Sequence, residues 1–400
     1  MIAVSEALEI VLRELSLMPV EEVALDQAGG RALASEIVST RDVPPFRNSA
    51  MDGYAVRSAD LSGLPVALEQ VETIAAGKVP RQTIEPGTAA AIMTGAMVPE
   101  GADTVVRIED TSRVGDRVVI ESAPPAGSNI RLAGEDIRRG DRVLGPGDLL
   151  RPAEVGLLAS LGITSVPVRR QPRVAILTTG DELVEPDQPV GPGQIVNSNA
   201  YTLGAAVRQA GAIPLRMGIV GDGREQTRAA FATAFDSDVV LSTGGVSMGA
   251  FDLVREIQAE LGVSERFWKV AQKPGKPLSF GMRNGKPVFG LPGNPVSSLV
   301  CFYVYVLPAL RRMQGLRSLH LPIVTATALT DIRTAPGLTD FIRCGFEGPL
   351  DDLRVRPTGT QSSGALRSMS LGEGLLVSRP EESSISAGQR VSVMLLPVPG

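Results

Sequence analysis

Between Arg173 and Met313 the chain alternates short apolar runs with helix-like stretches, and each apolar run gives way to a polar or glycine-rich loop. Val174-Ala175-Ile176-Leu177 leads into Thr178-Thr179-Gly180-Asp181-Glu182-Leu183. Ile213 to Val220 ends in Gly221-Asp222-Gly223. Val239-Val240-Leu241 leads into Ser242-Thr243-Gly244-Gly245-Val246-Ser247-Met248-Gly249, after which Phe251-Asp252-Leu253-Val254 begins a helical pattern. Phe267 to Val270 is followed by Lys273-Pro274-Gly275-Lys276-Pro277, and Pro287 to Leu291 by Pro292-Gly293-Asn294-Pro295. Short runs of this kind read as strands buried on both faces, as in parallel sheets. Helices fit between them. One spans Tyr201 to Ala210, opened by Asn197-Ser198-Asn199 and stopped by Gly211. Others span Arg224 to Phe235 and Val296 to Met313, the last with Asn294 as N-cap and Pro295 at the first helical position. The pattern predicts a doubly wound α/β domain over 171–320.

In such sheets ligands bind outside the carboxyl ends of the strands. Asp181, Glu182, Asp222, the loop from Ser242 to Asp252, Lys273, Lys276 and Asn294 all follow strands, so they share one rim. Strand, glycine loop and helix together point backbone N–H groups and a helix N-terminus at an anion. Many glycine loops only turn the chain; the recurrence of polar clusters around this one favours a ligand site. Carboxylates with almost no His or Cys suit a hard cation such as Mg²⁺, held by one or two of them plus phosphate oxygens and water. Lys269, Lys273 and Lys276 suit an anion, the prolines and glycine between them fixing the backbone; as plain surface lysines they would need no ligand. No Gly-x-x-x-x-Gly-Lys-Ser/Thr occurs, and no Gly-x-Gly-x-x-Gly follows a strand.

Composition removes other classes. One histidine, His320, and two cysteines, Cys301 and Cys344, leave no zinc cage and only a linker-like His320 for a hydrolytic triad. Cys301 lies in an apolar run and reads as buried. A pI near 5.3 argues against nucleic-acid binding. No apolar run is expected to reach the roughly 20 residues of a membrane span. The first residues lack a signal-peptide layout, so a cytoplasmic location is expected.

Four hundred residues exceed one ordinary core. Residues 1 to about 18 read as an amphipathic helix with Ser5 as N-cap, ended by Pro19. A strand at Glu22 to Leu25 and a short helix at Arg31 to Ala34 follow. Pro44-Pro45-Phe46-Arg47-Asn48-Ser49-Ala50-Met51-Asp52-Gly53 is extended and then turn-like; it reads either as a structural turn or as a loop presenting Asp52 to a ligand. Residues 56 to 150 are rich in short strands, with Met93-Thr94-Gly95-Ala96 at one strand end and acids beside arginines in Arg131 to Gly140. Pro152 to Leu161 is a helix ended by Gly162. From Leu321 short alternating segments predict a small β-barrel or sandwich. The fold class expected is multidomain α/β plus β. An N-terminal and linker domain covers 1–45 and 140–170, an inserted β-rich domain 46–139, the α/β domain 171–320 and a C-terminal β-barrel 321–400. The helix over 1–18 is free to pack on the α/β domain.

Taken in order, Pro44 to Ala55, Ala133-Gly134-Glu135-Asp136, Thr179 to Leu183, Asn197-Ser198-Asn199, Thr243 to Gly249, Lys273 to Pro277 and Leu291 to Pro295 resemble the molybdopterin molybdenumtransferases, a family that includes the C-terminal domain of gephyrin. After Leu321 the resemblance is loose and rests on Gln361-Ser362-Ser363-Gly364. It implies insertion of molybdenum from molybdate into adenylated molybdopterin, with Mg²⁺-dependent release of AMP. It also implies four domains and a homodimer, the site lying between the α/β domain of one subunit and inserted-domain loops of the other. An adenylyltransferase would act upstream and apo-molybdoenzymes downstream. Asp52, Asp136, Glu182, Asp222 and Asp252 match the family's acidic positions, Asp222 and Asp252 being assigned mainly to Mg²⁺ or the phosphates. Thr94, Lys269 and Lys273 match positions holding anionic groups, and Ser247, with Gly244 and Gly245, lies on the phosphate-facing loop. Lys276 and Asn294 complete the ligand-binding set. The competing readings are an adenylyltransferase, which would not need residues 44–160 or the β tail, and a scaffold that kept the fold without the chemistry.

Overall fold

The structure is a computed structural model that describes residues 1–244, 250–349 and 351–397, the side chains of 250–252 excepted. The α/β unit is built on a six-stranded sheet in the order Ile213–Val220, Arg173–Thr179, Val239–Gly244, Lys286–Leu291, Ser279–Arg283, Ser264–Trp268. The first four strands are parallel. Ser279–Arg283 runs against Lys286–Leu291, and Ser264–Trp268 runs against Ser279–Arg283, so the outermost strand again points with the first four. Successive side chains of a strand face opposite sides. Val174, Ile176, Val239 and Leu241 therefore enter one core, with the helices Asn199–Gln209 and Pro295–Cys301, while Ala175, Leu177 and Val240 enter the other, with Phe231, Ala234, Val254 and Ile257 of Arg224–Ala234 and Ala250–Glu260.

The last helical stretch of this unit departs from expectation in two ways. Pro308 has no N–H to give back to the preceding turn. The backbone widens over Phe302–Val306, with the Leu307 N–H donating to Phe302 O, before Leu307–Met313 resumes an ordinary helix. The span Pro295–Met313 is also 19 residues long with mean hydropathy 1.2, enough by length and composition to cross a membrane, contrary to the sequence expectation. Yet 83% of it is buried inside the protein, which makes it a core helix.

The first helix is shorter than expected, Val4–Arg13, and Ala3 rather than Ser5 occupies the cap position, with no side-chain bond. Ala7, Val11, Leu15 and Met18 are buried in the same cluster as the α/β core, and the Met18 N–H donates to Met313 O at 2.7 Å. That tertiary bond takes residues 14–18 off the helix axis. No helix forms at Arg31 to Ala34. Ala32 and Leu33 are buried and bridge Leu149 and Val168 as isolated β-pairs, tertiary pairing having overridden a modest helix propensity.

Val20–Ala24 pairs antiparallel with Ser165–Arg169, and Ile37–Val38 with Arg142–Leu144, so two distant stretches of chain form one small unit. Val43 and Ile137 exchange backbone bonds, Val43 N to Ile137 O at 2.7 Å and Ile137 N to Val43 O at 3.1 Å. The chain thus leaves and re-enters this unit at one point. Between these residues lies a second six-stranded sheet, in the order Thr104–Arg107, Gly53–Val56, Thr88–Ile92, Val66–Ile74, Arg117–Ile120, Thr111–Val114. Alternate residues fill its two faces: Ala55, Ala90 and Val105 one, Tyr54, Val56, Ala89 and Val106 the other.

At the C-terminus Thr339–Glu347, Arg354–Pro357, Ile323–Ala328, Arg390–Leu395 and Gly374–Val377 close on themselves, because the first also pairs with the last. This is a closed barrel, which leaves no exposed sheet edge. Architecturally the protein is multidomain α/β plus β.

Candidate active site at the carboxyl rim of the α/β sheet

The strand order puts a topological switch between Arg173–Thr179 and Val239–Gly244: the chain leaves the first strand to one side and later returns to its other side. Such points open a crevice at the carboxyl ends. Here a cleft of about 480 Å³ opens, lined by Thr178, Thr179, Gly180 and Glu182 at and after the end of Arg173–Thr179, Asp222 after Ile213–Val220, Thr243 and Gly244 at the end of Val239–Gly244, and Gly293 and Asn294 after Lys286–Leu291. The segment 195–199 closes one wall. Thr179 is level with Gly244 and Val220, and Thr243 with Leu291, so the strand ends reach the rim together. Gly244 allows this approach. Its φ is +101°, and a Cβ there would stand 2.1 Å from the Thr179 carbonyl oxygen.

Carboxylates crowd one side of the cleft. The Asp222 N–H donates to Asp181 Oδ1 at 3.1 Å. Partial desolvation, then the charges of Asp181 and Glu182, push the Asp222 carboxyl above the ordinary range. Such a group gains from a cation beside it. Among the described residues no three His, Cys, Asp or Glu side chains stand close enough to form a full metal cage. Glu182 and Asp222 are oxygen donors of the kind a hard cation such as Mg²⁺ takes one or two at a time, with phosphate oxygens and waters completing its shell. Asp252, the other expected metal residue, has its side chain outside the described residues, and Gly245 and Ser247 lie outside them altogether.

The other expected residues are placed elsewhere. Asp52 and Thr94 meet on the inserted sheet. The backbone N–H of Thr94 donates to Asp52 Oδ1 at 2.6 Å and its hydroxyl to the same oxygen at 2.8 Å. Those two bonds, the backbone one foremost, hold the Asp52 carboxyl below its ordinary range, while both side chains stay exposed. Asp136 is exposed near the return of the chain, its N–H on Val43 O. Lys269 adopts φ +67° and lays its ammonium over the Trp268 ring at 3.7 Å. Lys273 faces the barrel, where its charge acts on Asp340. Lys276 is exposed. None of Asp52, Thr94, Asp136 or the three lysines lines the cleft of this chain. Asn294 does, but its side chain makes no cap bond to the helix it precedes. Its Nδ2 donates instead to Ser363 Oγ at 2.9 Å, while Ser363 O accepts the Val296 N–H. The barrel loop, rather than Asn294, completes the helix N-terminus.

Comparison with known proteins follows the same division of the chain. Residues 2–162 match the family described as the MoeA N-terminal region, domains I and II; residues 175–312 match a probable molybdopterin binding domain; and residues 325–396 match the MoeA C-terminal region, domain IV. A molybdopterin molybdenumtransferase of a Nostoc species is 40% identical over 388 residues, 94% of this chain and 89% of that protein. The chain belongs to the molybdopterin molybdenumtransferase family. Molybdopterin molybdenumtransferase 2 of Mycobacterium tuberculosis is 38% identical over 383 residues, covering 93% of this chain and 94% of its own length. A crystal structure of a molybdopterin biosynthesis MoeA protein from Pyrococcus horikoshii OT3 superposes with a TM-score of 0.86 at 31% identity, covering 99% of this chain and 100% of that one.

Within this molybdenumtransferase fold the cleft contains residues that sequence reasoning did not single out as ligands: Thr178, Thr179, Asn197, Asn199 and Thr243. Their signal was present, because each sits at a strand end or helix start. A hydroxyl or amide there is equally suited to capping, and only three-dimensional bonding separates the two uses.

Proposed function

We propose that this protein transfers molybdenum from molybdate to the dithiolene of adenylated molybdopterin, with Mg²⁺-dependent release of AMP. One observation carries the reading within the family: a substrate-sized cleft at the switch point, with Glu182 and Asp222 at one side and a close-packed glycine strand end at the other. In the cleavage step the phosphoanhydride P–O bond breaks, water supplies the new oxygen, and AMP leaves. Strand-end amides on the rim would orient phosphate oxygens. Asp222 and Asp252 would hold Mg²⁺, whose charge would offset that of the leaving phosphate, with Glu182 beside them in the cleft. The remaining task is positioning and charge stabilisation, which needs no covalent nucleophile.

Asp52, Thr94 and Asp136 enter this reading through a homodimer. They do not line the cleft of their own chain, so the inserted sheet of a second subunit would bring them over it. Lys269 and Lys273 would neutralise molybdate or pterin phosphate. An adenylyltransferase would supply the substrate, and apo-molybdoenzymes of the cytoplasm would receive the product. The test is AMP release from adenylated molybdopterin with molybdate and Mg²⁺ each present or omitted. Release that requires both, with active cofactor formed, is the expected result. Tight binding without release under every condition would leave a scaffold and end the proposal.

A further inference from the structure

We infer that Gln272, Tyr305 and Cys301 are positioning residues for the reaction: they fix the backbone of Lys273-Pro274-Gly275-Lys276 and so set where the two ammonium groups stand for an anionic substrate group. The inference rests on the function proposed above, in which Lys273 neutralises molybdate or pterin phosphate, and concerns what holds that charge in place.

The loop is closed by its own backbone. The Lys269 N–H donates to Leu278 O at 2.9 Å and the Val270 N–H to Lys276 O at 3.0 Å. Exposure alternates along it: Lys273 and Lys276 are exposed, Gln272 and Gly275 buried. Gly275 adopts φ +97°, and a Cβ there would stand 2.6 Å from Cys301 Sγ and 3.4 Å from Ser297 O. The loop thus lies against the helix Pro295–Cys301, whose first residue lines the cleft.

Gln272 and Tyr305 are wholly buried, and Tyr305 and Cys301 belong to the main apolar core. Both ends of the Gln272 amide are used. Its Oε1 accepts the Tyr305 O–H, and its Nε2 donates to Pro274 O at 3.1 Å and to Cys301 Sγ at 3.4 Å. The Cys301 S–H donates in turn to Gly275 O at 3.6 Å. Burial pushes that thiol up, so it keeps its proton. Turning the amide round would set its carbonyl against Pro274 O, where neither group has a hydrogen, so the network has one arrangement. Cys301 and Tyr305 are four positions apart and share one helix face. Tyr305 sits in the widened turn Phe302–Val306, a feature frequent at functional sites.

Stability alone does not call for such a network, because a matched pair of apolar side chains fills the same space at little cost. What a satisfied buried network adds is a single, rigid arrangement. Here it holds the carbonyls of Pro274 and Gly275, the two residues between the lysines. With apolar side chains instead, both carbonyls would lose directed partners, and the lysines the fixed backbone between them. Small misplacements of a charged group are felt strongly in binding and turnover.

The experiment measures AMP release while molybdate and adenylated molybdopterin are varied in turn, with thermal unfolding to show that each protein is folded at the assay temperature. The variants are Tyr305→Phe, the pair Gln272→Met with Tyr305→Phe, and Lys273→Gln. In the paired variant the half-saturating concentration of one substrate should rise about tenfold, with the maximal rate within about twofold of wild type. Tyr305→Phe alone, which keeps the ring in the core, should shift the same constant in the same sense by less. Lys273→Gln should raise the half-saturating concentration of that same substrate. Unchanged constants for both substrates in the paired variant would overturn the inference and leave the proposed function standing. So would a rise for the substrate that Lys273→Gln does not affect, or a fall in maximal rate alone. Absence of molybdate-dependent AMP release in wild type would remove the proposed function and this inference with it.

Discussion

Asp52 and Asp222, two expected site carboxylates with displaced pKa values, respond to acid in opposite senses. Asp52 is held low by the Thr94 N–H and hydroxyl. Its contribution to stability is present above the unfolded carboxylate value and is lost as pH falls through the lowered folded one. Asp52→Asn keeps an acceptor for Thr94 but loses the charge, so its thermal midpoint at pH 7 should fall only slightly while AMP release falls by about a hundredfold or more. Equal activity in this variant would remove Asp52 from the site. Asp222 is displaced upward by desolvation and by Asp181 and Glu182. In the ligand-free protein that group disfavours the fold increasingly as pH rises from its unfolded value through its raised folded one. Asp222→Asn should therefore melt higher than wild type near neutrality, and added Mg²⁺ should raise the midpoint of wild type but scarcely that of the variant. An equal Mg²⁺ response in both proteins would show that the ion binds elsewhere. Asp181→Asn, by removing a neighbouring charge, should move the acid limb of the Mg²⁺ response to lower pH.

Single elements are tuned at their ends. The strand Val239–Gly244 finishes on a residue whose φ and closeness to the Thr179 carbonyl exclude a side chain. Gly244→Ala must part the two strand ends. A loss of about 1–3 kcal/mol in stability is expected from the strained φ and the overpacking. AMP release should fall by about a hundredfold, because the cleft floor moves. Chemical denaturation and the activity assay check these together. The barrel strand Thr339–Glu347 carries a wholly buried arginine, Arg343. Its Nε donates to Ser368 Oγ at 2.8 Å, and its Nη2 to Thr360 O and Ser362 O at 2.9 and 3.1 Å. Burial lowers its pKa, yet those bonds fix the loop that delivers Ser363 to Asn294. Arg343→Met would take the donor from one buried and two partly buried acceptors and should cost about 1–3 kcal/mol in urea unfolding.

At the scale of the molecule, the inserted sheet hangs from one point, where Val43 and Ile137 pair. A chain in which residues 44–136 are replaced by a short glycine linker should keep the remaining units folded, because Val20–Ala24 still meets Ser165–Arg169 and the Ile37–Val38 pairing survives. It should have no activity, having lost Asp52 and Thr94. Mixed with Asp222→Asn, whose inserted sheet is intact, it should regain part of the activity if the site is shared between two subunits. No recovery on mixing would place each site within one chain.

The sequence by itself determined the elements and their polarity. Apolar runs such as Val174 to Leu177 and Val239 to Leu241 allow few local alternatives, and the residue after each strand is committed to the carboxyl rim by chain direction alone. That made Glu182, Asp222, Gly244 and Asn294 legible as neighbours before any coordinates. Pairing decided what remained, because a pairing partner leaves no local trace. Arg31 to Ala34 carries a helix pattern, yet Leu149 and Val168 draw it into β-bridges. Asn294 reads as a helix cap, yet Ser363, brought over by the closed barrel, takes its amide. Asp52 reads as one side of a turn until antiparallel register, Gly53 against Ile92, sets it beside Thr94. Thr178, Thr179 and Thr243 are alike in sequence. Only the tertiary structure distinguishes them: Thr178 and Thr243 each bond on both sides of the hydroxyl, while the Thr179 hydroxyl is buried with no partner among the described residues.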